Sequence, residues 1–273
     1  MGDRAARSKP HFSYSQLAMI GRCGVQYEFR YIKGLVIPPA VAQVQGSNVH
    51  KGRERALVRK MASGALPELA EVESVVADCM AQSFAGEILL DGDWADRGLA
   101  WSRAHAKDEA VELARLDYRE HLPKINPVAV EQELYLEHPS LAAPLLGYLD
   151  CVTVEDDVVD LKTAGKSPSQ DDVDSDLQLS CYAVLFRSKY HRLERGLRID
   201  ALVKTKVPKA VSVVTSRTDQ QLQVFLNRMA RALEAVRKEL WLPADPGWWG
   251  CSTKFCGYSS RCPYFAGKER PKS

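Results

Sequence analysis

What the chain lacks limits it first. No apolar run approaches the roughly 20 residues of a bilayer-spanning helix, so helices that cross a membrane are excluded and no membrane partner is expected. The opening "MGDRAARSKP" has no apolar core of the kind a secretory signal needs, and a cytoplasmic location is expected. No Gly/Ser/Pro linker, repeat or low-complexity stretch divides the 273 residues, which predicts one domain over 1–273. Charge of one sign is also scarce: the net charge is +2, so global charge does not announce a nucleic-acid binder. "HKGRERALVRK" (50–60) and "VKTKVPK" (203–209) are basic and "DDVDSD" (171–176) acidic, but each reads first as a solvated face. A phosphate-binding GxxxxGKS or GxxxxGKT loop is missing, so any ATP-driven unwinding is expected to come from elsewhere. The basic head and the tail "GKERPKS" are expected to fray.

Cysteine is present, with seven residues, but a disulfide framework does not suit a cytoplasmic chain. Cys79, Cys151 and Cys181 sit in apolar sequence and are expected in the core. Cys23 and the tail trio Cys251, Cys256 and Cys262, within "WWGCSTKFCGYSSRC" (248–262), remain.

The order of elements is legible. "SYSQLAMIGRCGVQYEFRYIKGL" (13–35) reads as one helix capped by Ser13 or Ser15. Helices near 43–62, 68–90 and 96–121 follow, and the stretch 65–125 reads as a helical insertion. The pattern then turns strand-like at 127–137, 143–154 and 157–163, the last two joined as a hairpin through "EDD". A helix at about 173–189, strands at 197–205 and 210–216, and a helix opened by Thr218 with Gln221 and running to about Leu240 complete the core. The expected fold is α/β: a central mixed sheet flanked by helices, with an N-terminal helical region and a cysteine tail.

The hairpin carries chemistry. Asp160 and Lys162 are two apart on a strand, so both side chains leave one face. With a turn centred near Asp156, Asp150 lies almost opposite Lys162 and shares that face. Two carboxylates suit Mg²⁺ or Mn²⁺, and such an ion with a nearby lysine suits phosphodiester cleavage. A D-x-K triplet alone is more often an ordinary charged hairpin. Its company raises the signal: Glu131 or Glu133 can add a carboxylate, with Glu133 slightly preferred, and Gln178 and Tyr182 share one helix face. His50 by itself reads first as a structural histidine.

The ordered set "SYSQLAMIGRCGVQYEFRY", "GSNVH", "GYLD", "DLKT", "QLSCY" and the cysteine trio resembles the RecB-type branch of the PD-(D/E)XK nucleases, nearest its iron–sulfur members, over about 13–263. Those members include CRISPR-associated exonucleases, helicase–nuclease subunits and phage recombination exonucleases. The resemblance implies a restriction-endonuclease-like core that hydrolyses DNA, often from an end. It implies His50, Asp150 and Asp160 as ligands of Mg²⁺ or Mn²⁺, Lys162 as the catalytic lysine, and Gln178 and Tyr182 as supports that meet nucleic acid. Lys51, Arg53, Arg55 and Arg59, after His50, could follow phosphates, and Tyr182 or aromatics near the tail could stack on bases. Single-stranded or end-containing DNA is the expected substrate. A helicase, a recombinase or CRISPR-adaptation proteins are the expected partners. A non-catalytic DNA-binding or adaptor subunit on the same fold is the alternative.

In such relatives one upstream cysteine and three near the C-terminus hold a 4Fe-4S cluster, which here implies Cys23, Cys251, Cys256 and Cys262 as a clasp of 248–265 onto the first helix. The tail spacing, C-x4-C-x5-C, departs from the shorter first gap expected. Zinc or simple thiols are the alternatives.

Overall fold

The protein is described from a computed structural model over residues 10–265; the termini expected to fray lie almost entirely outside that range. Two compact units interleave along the chain. One comprises Met1–Ile37, Tyr135–Gly147 and Asp219–Ser273; the other comprises Pro38–Leu134 and Tyr148–Thr218.

The larger unit holds the sheet. Its strands are β2 (Pro127–Leu136), β3 (Leu145–Thr153), β4 (Asp157–Ala164), β5 (Gly196–Val203) and β6 (Lys209–Thr215), with β2 and β3 each extending into the other unit at one end. The order is β3-β4-β5-β6, and β2 pairs with β3. β3–β4 and β5–β6 are antiparallel, while β4–β5 is parallel, so the sheet is mixed. A parallel pair needs a crossover. Helices α7 (Gln170–Asp174) and α8 (Leu177–Tyr190) provide it, where the sequence predicts one helix. Asp176 breaks the run: its backbone is extended and its carboxylate caps α8 through the Gln178 and Leu179 amides.

Helices α3 (Val41–Ser63), α4 (Leu69–Ser83) and α6 (Leu99–Glu120), with the short α5 (Asp93–Arg97), fill the predicted helical region. Val44, Leu57, Val76, Met80 and Leu113 pack with Val159, Leu161 and Leu202 into one core. Gly52 lets α3 and α4 touch, because a Cβ there would come within 2.5 Å of Val76. Cys151 and Cys181 are buried, and burial pushes both thiols up to about 12, so they remain inert core thiols as expected; Cys79 is only half-buried.

The smaller unit departs from the predicted single helix over 13–35. A two-residue strand β1 (Phe12–Ser13) pairs with Leu145 and Leu146 in parallel, then α1 (Tyr14–Arg22) opens with a Ser13/Gln16 capping box. The helix breaks at Cys23, whose backbone is extended, and resumes as α2 (Gly24–Tyr27) with a π-helical turn over Glu28–Ile32. The cause is tertiary. The Gly24 amide donates to the Leu242 carbonyl at 2.7 Å, and a Cβ on Gly24 would meet the Leu242 nitrogen at 2.7 Å. The last helix, α9 (Asp219–Arg237), buries Leu222, Phe225, Leu226, Met229 and Leu233, a stripe at helical spacing, and packs on α1.

Candidate active site

The hairpin builds the site, with a register two residues from the predicted one. Cys151 pairs with Val159 and Val152 with Val158, so Asp150 stands opposite Asp160, not Lys162. The turn is a three-residue loop whose last residue, Asp156, takes φ +65, a left-handed conformation that aspartate tolerates. The shift is even, so Asp150, Asp160 and Lys162 still share a face. β4 is buried along most of its length, as a central strand is, and Asp160 interrupts its apolar run with 1% of its surface exposed.

Two linked groups form around these residues. In the first, single ligand atoms of His50, Glu131 and Asp150 all lie within 4.8 Å of one another. His50 Nδ1 is 3.4 Å from Asp150 Oδ2, and the Leu161 amide donates to the same oxygen at 3.1 Å. α3 brings His50 there by a close approach at Gly46, where a Cβ would sit 2.9 Å from Thr163 Oγ1. Burial holds the His50 imidazole below its ordinary pKa, although Asp150 pulls the other way. It is therefore kept in the neutral form that ligates metals.

Glu131, not the slightly preferred Glu133, belongs to this group. At φ +47 it is a left-handed residue inside β2. Before it the odd positions Pro127 and Ala129 are buried; after it Leu134 is. One left-handed residue has switched the alternation, as a bulge does, so Glu131 stays on the inward side with Ala129 while Glu133 turns out. Glu133 is instead exposed and accepts a hydrogen bond from Tyr148. Strict alternation hides this switch. A strained non-glycine backbone at a cluster of ligands is where functional constraint concentrates.

In the second group, Lys162 Nζ stands 2.8 Å from Asp160 Oδ2 and donates to Gln178 Oε1 at 2.6 Å. Gln178 Nε2 donates to Asp160 Oδ1 at 3.1 Å and to the Tyr182 hydroxyl oxygen at 2.7 Å, and that hydroxyl donates to Asp150 Oδ1 at 3.2 Å. Gln178 and Tyr182 thus join both carboxylates through α8. Asp160, expected beside His50 and Asp150 as a ligand, lies outside the first group of ligand atoms. Its Oδ2 is buried and has the Lys162 ammonium as ion-pair partner but no aligned hydrogen bond. Burial, and then the Asp150 charge, push the Asp160 carboxyl up to about 7 against the opposing pull of Lys162. Lys162 loses by burial but gains more from Asp160, and sits above its ordinary pKa. Burial holds Tyr182 well above its own.

Oxygen donors with one imidazole suit Mg²⁺ or Mn²⁺, and the buried Asp160 oxygen is a further donor adjoining them. The residues fit a divalent ion.

The basic face predicted after His50 divides. Arg55 is exposed and meets Glu71 at 3.3 Å, as Arg59 does at 3.7 Å, and Lys51 is half-buried. Arg53 does not face solvent. It is buried, donating to Asp117 at 3.2 Å and to Asp200 at 2.6 Å, and Asp200 also binds Arg198 and Ser212. Burial works against the Asp200 charge, but Arg53, His121 and Arg198 bring its pKa down to about 2. The sequence reading missed this because Asp117 and Asp200 are distant in the chain.

In the smaller unit, Cys23, Cys251, Cys256 and Cys262 line one cavity of about 400 Å³, counting space open to solvent, with Phe29 and Tyr258 in its wall. All four are free thiols. Gln26 Nε2 donates to Cys256 Sγ at 3.3 Å. Among the described residues no three cysteine sulfurs all lie within 4.8 Å of one another.

A mixed α/β sheet with an acidic residue and a lysine two apart on a central strand, beside a metal-fitting carboxylate group, is an arrangement that metal-assisted phosphodiester hydrolysis can use. The chain belongs to the PD-(D/E)XK nuclease superfamily, whose family model matches residues 11–263. It is thus a hydrolase of the nuclease class with DNA as substrate; the superfamily uses divalent metals, and the His50–Glu131–Asp150 group could hold one. No curated protein matches significantly. Among solved structures, a "putative exonuclease" from Eubacterium rectale aligns with a TM-score of 0.54 at 15% identity, over 84% of this chain and 82% of that one. That likeness shows the fold alone. SSO0001, at 15% identity over 91% of this chain and 98% of that one, has a TM-score of 0.36 and carries no argument.

Proposed function

We propose that the chain is a metal-dependent DNA exonuclease of the RecB-type branch, acting on single-stranded or end-containing DNA as one nuclease domain in the cytoplasm. The observation that carries the reading is Lys162, held between Asp160 and Gln178 next to the His50–Glu131–Asp150 group. Bound there, Mg²⁺ or Mn²⁺ would supply Lewis-acid polarisation of the scissile phosphate and a more acidic water. His50, Glu131 and Asp150 would hold the ion, with Asp160 as a further ligand. Lys162 places a positive charge where the attacking water and the developing charge meet. Gln178 fixes the Lys162 ammonium, and Tyr182 fixes Asp150. End preference follows the resemblance and the description of the Eubacterium rectale protein. A helicase, a recombinase or CRISPR-adaptation proteins supply the end.

End-labelled linear and circular DNA, single- and double-stranded, tests the reading with Mg²⁺ and Mn²⁺. Linear DNA shortened from an end, and no cleavage in EDTA or in Lys162→Ala, is expected. Absence of cleavage by the wild type with either ion would establish the non-catalytic adaptor instead.

For the cysteines we propose a 4Fe-4S cluster with a structural role. Four free thiols on one cavity match its ligand set. A polar N–H on Cys256 suits a thiolate. Anaerobic purification with iron and zinc analysis and a visible spectrum decides between the two metals.

A further inference from the structure

We propose that Arg217, outside the active site, is the positioning residue that sets the first turn of α8, and through Gln178 the Lys162 ammonium. This rests on the reading of Lys162 and Asp160 as the active pair. Arg217 follows β6 and is 5% exposed. A guanidinium has five N–H donors, and here each has work. Nε donates to Ser180 Oγ at 2.9 Å. Nη1 donates to Thr215 Oγ1 and to the Ser216 carbonyl, both at 2.9 Å. Nη2 donates to the Val173 and Asp176 carbonyls, both at 2.9 Å.

These partners belong to three pieces of chain: the end of β6, the last turn of α7 and the start of α8. Asp176 is the α8 N-cap, its carboxylate accepting the Gln178 amide at 2.6 Å and the Leu179 amide at 3.2 Å. Ser180 lies in the first turn. One buried cation therefore grips the cap residue by its carbonyl and the first turn by Ser180, on either side of Gln178. The Gln178 amide bridges Lys162 and Tyr182, and it reaches Asp160 as well. Rotation or retreat of this turn would release the ammonium. The arginine is itself held, since Arg187 donates to its carbonyl at 2.7 Å and forms a paired contact with buried Glu194. Lysine cannot replace a planar fork that serves three pieces of backbone.

The test uses the full-length protein as Arg217→Met, Arg217→Lys and Ser180→Ala, each alone and combined with Gln178→Ala. The Lys162 side chain is 37% exposed, so acetic anhydride reaches it. Its acetylation rate, read by peptide mass spectrometry, reports its restraint without requiring catalysis. Arg217→Met should raise Lys162 labelling severalfold and lower the single-turnover cleavage rate about 10–100-fold, as loss of a supporting contact does, with the DNA concentration for half-saturation unchanged. Arg217→Lys should not restore either, and Ser180→Ala should show a smaller effect in the same direction. In the Gln178→Ala background none of the three should add to either readout. A lowered melting temperature with unchanged Lys162 labelling, or losses that simply add to those of Gln178→Ala, would overturn the proposal. Should Arg217→Met fail to fold, Ser180→Ala decides by the same criteria. Labelling that responds in a protein with no nuclease activity leaves the positioning intact and removes the nuclease reading.

Discussion

At the scale of the residue, Glu131 and Glu133 make the sharpest pair. They are two apart on one strand, yet one bulge sends only Glu131 to the ligand group. Glu131→Gln should weaken Mn²⁺ binding at least tenfold by calorimetry, since second-sphere losses alone cost about 10–100-fold; Glu133→Gln should leave it within twofold. Lys162→Ala should reduce cleavage on the order of 100- to 1000-fold, the usual cost of one electrostatic donor. On the proposed reading of Asp160 as a further ligand, it sets the pH dependence. With its folded pKa raised to about 7, its protonated form must lose a proton for metal to bind, so apparent Mn²⁺ affinity should climb with pH and level off above about 7. Without metal, the sign for stability follows. A raised carboxyl contributes stability that is fully present below its unfolded value of about 3.9 and lost as pH rises through about 7. Denaturant unfolding of metal-free protein from pH 5 to 8 should show that loss, and Asp160→Asn should flatten it.

At the scale of the element, close approaches decide where functional side chains arrive. Gly46→Ala would push α3 away from β4 at Thr163 and carry His50 with it. Metal affinity should fall while circular dichroism stays unchanged, and Thr163→Ala added to it should recover most of the loss. Arg53 acts on the same helix from within. Arg53→Met leaves buried Asp200 with Arg198 as its ion-pair partner and buried Asp117 with His121 as its own, and breaking a buried pair costs about 3–5 kcal/mol. Urea unfolding should register that cost. Arg55→Ala should leave stability nearly unchanged; if it lowers the salt dependence of DNA binding by about one phosphate contact, Arg55 follows the backbone as the sequence suggests.

For the whole molecule, the chain is two compact units, one carrying the ligand group and the other the four cysteines. Gly24→Ala should separate their roles. Overpacking against Trp241 and Leu242 costs about 1–3 kcal/mol, and it falls in the unit with Cys23. Iron content should drop in that variant, while Mn²⁺ binding at His50, Glu131 and Asp150 should persist.

Much of the molecule was legible along the chain. Local periodicity placed the five strands β2 to β6 within one or two residues, though not β1, and put Asp160 and Lys162 on one face, because strand alternation needs no knowledge of neighbours. Six short motifs in order pointed to the nuclease superfamily. What the chain alone did not yield was everything set by contact between distant segments. The hairpin register depended on a left-handed Asp156, the choice of Glu131 on a bulge, the break at Cys23 on a carbonyl of Leu242, and the burial of Arg53 on Asp117 and Asp200. The amino-acid sequence by itself determined which groups are available and which share a face. Only the tertiary structure decided which of them meet, because burial and backbone strain at those points come from partners far away in the chain.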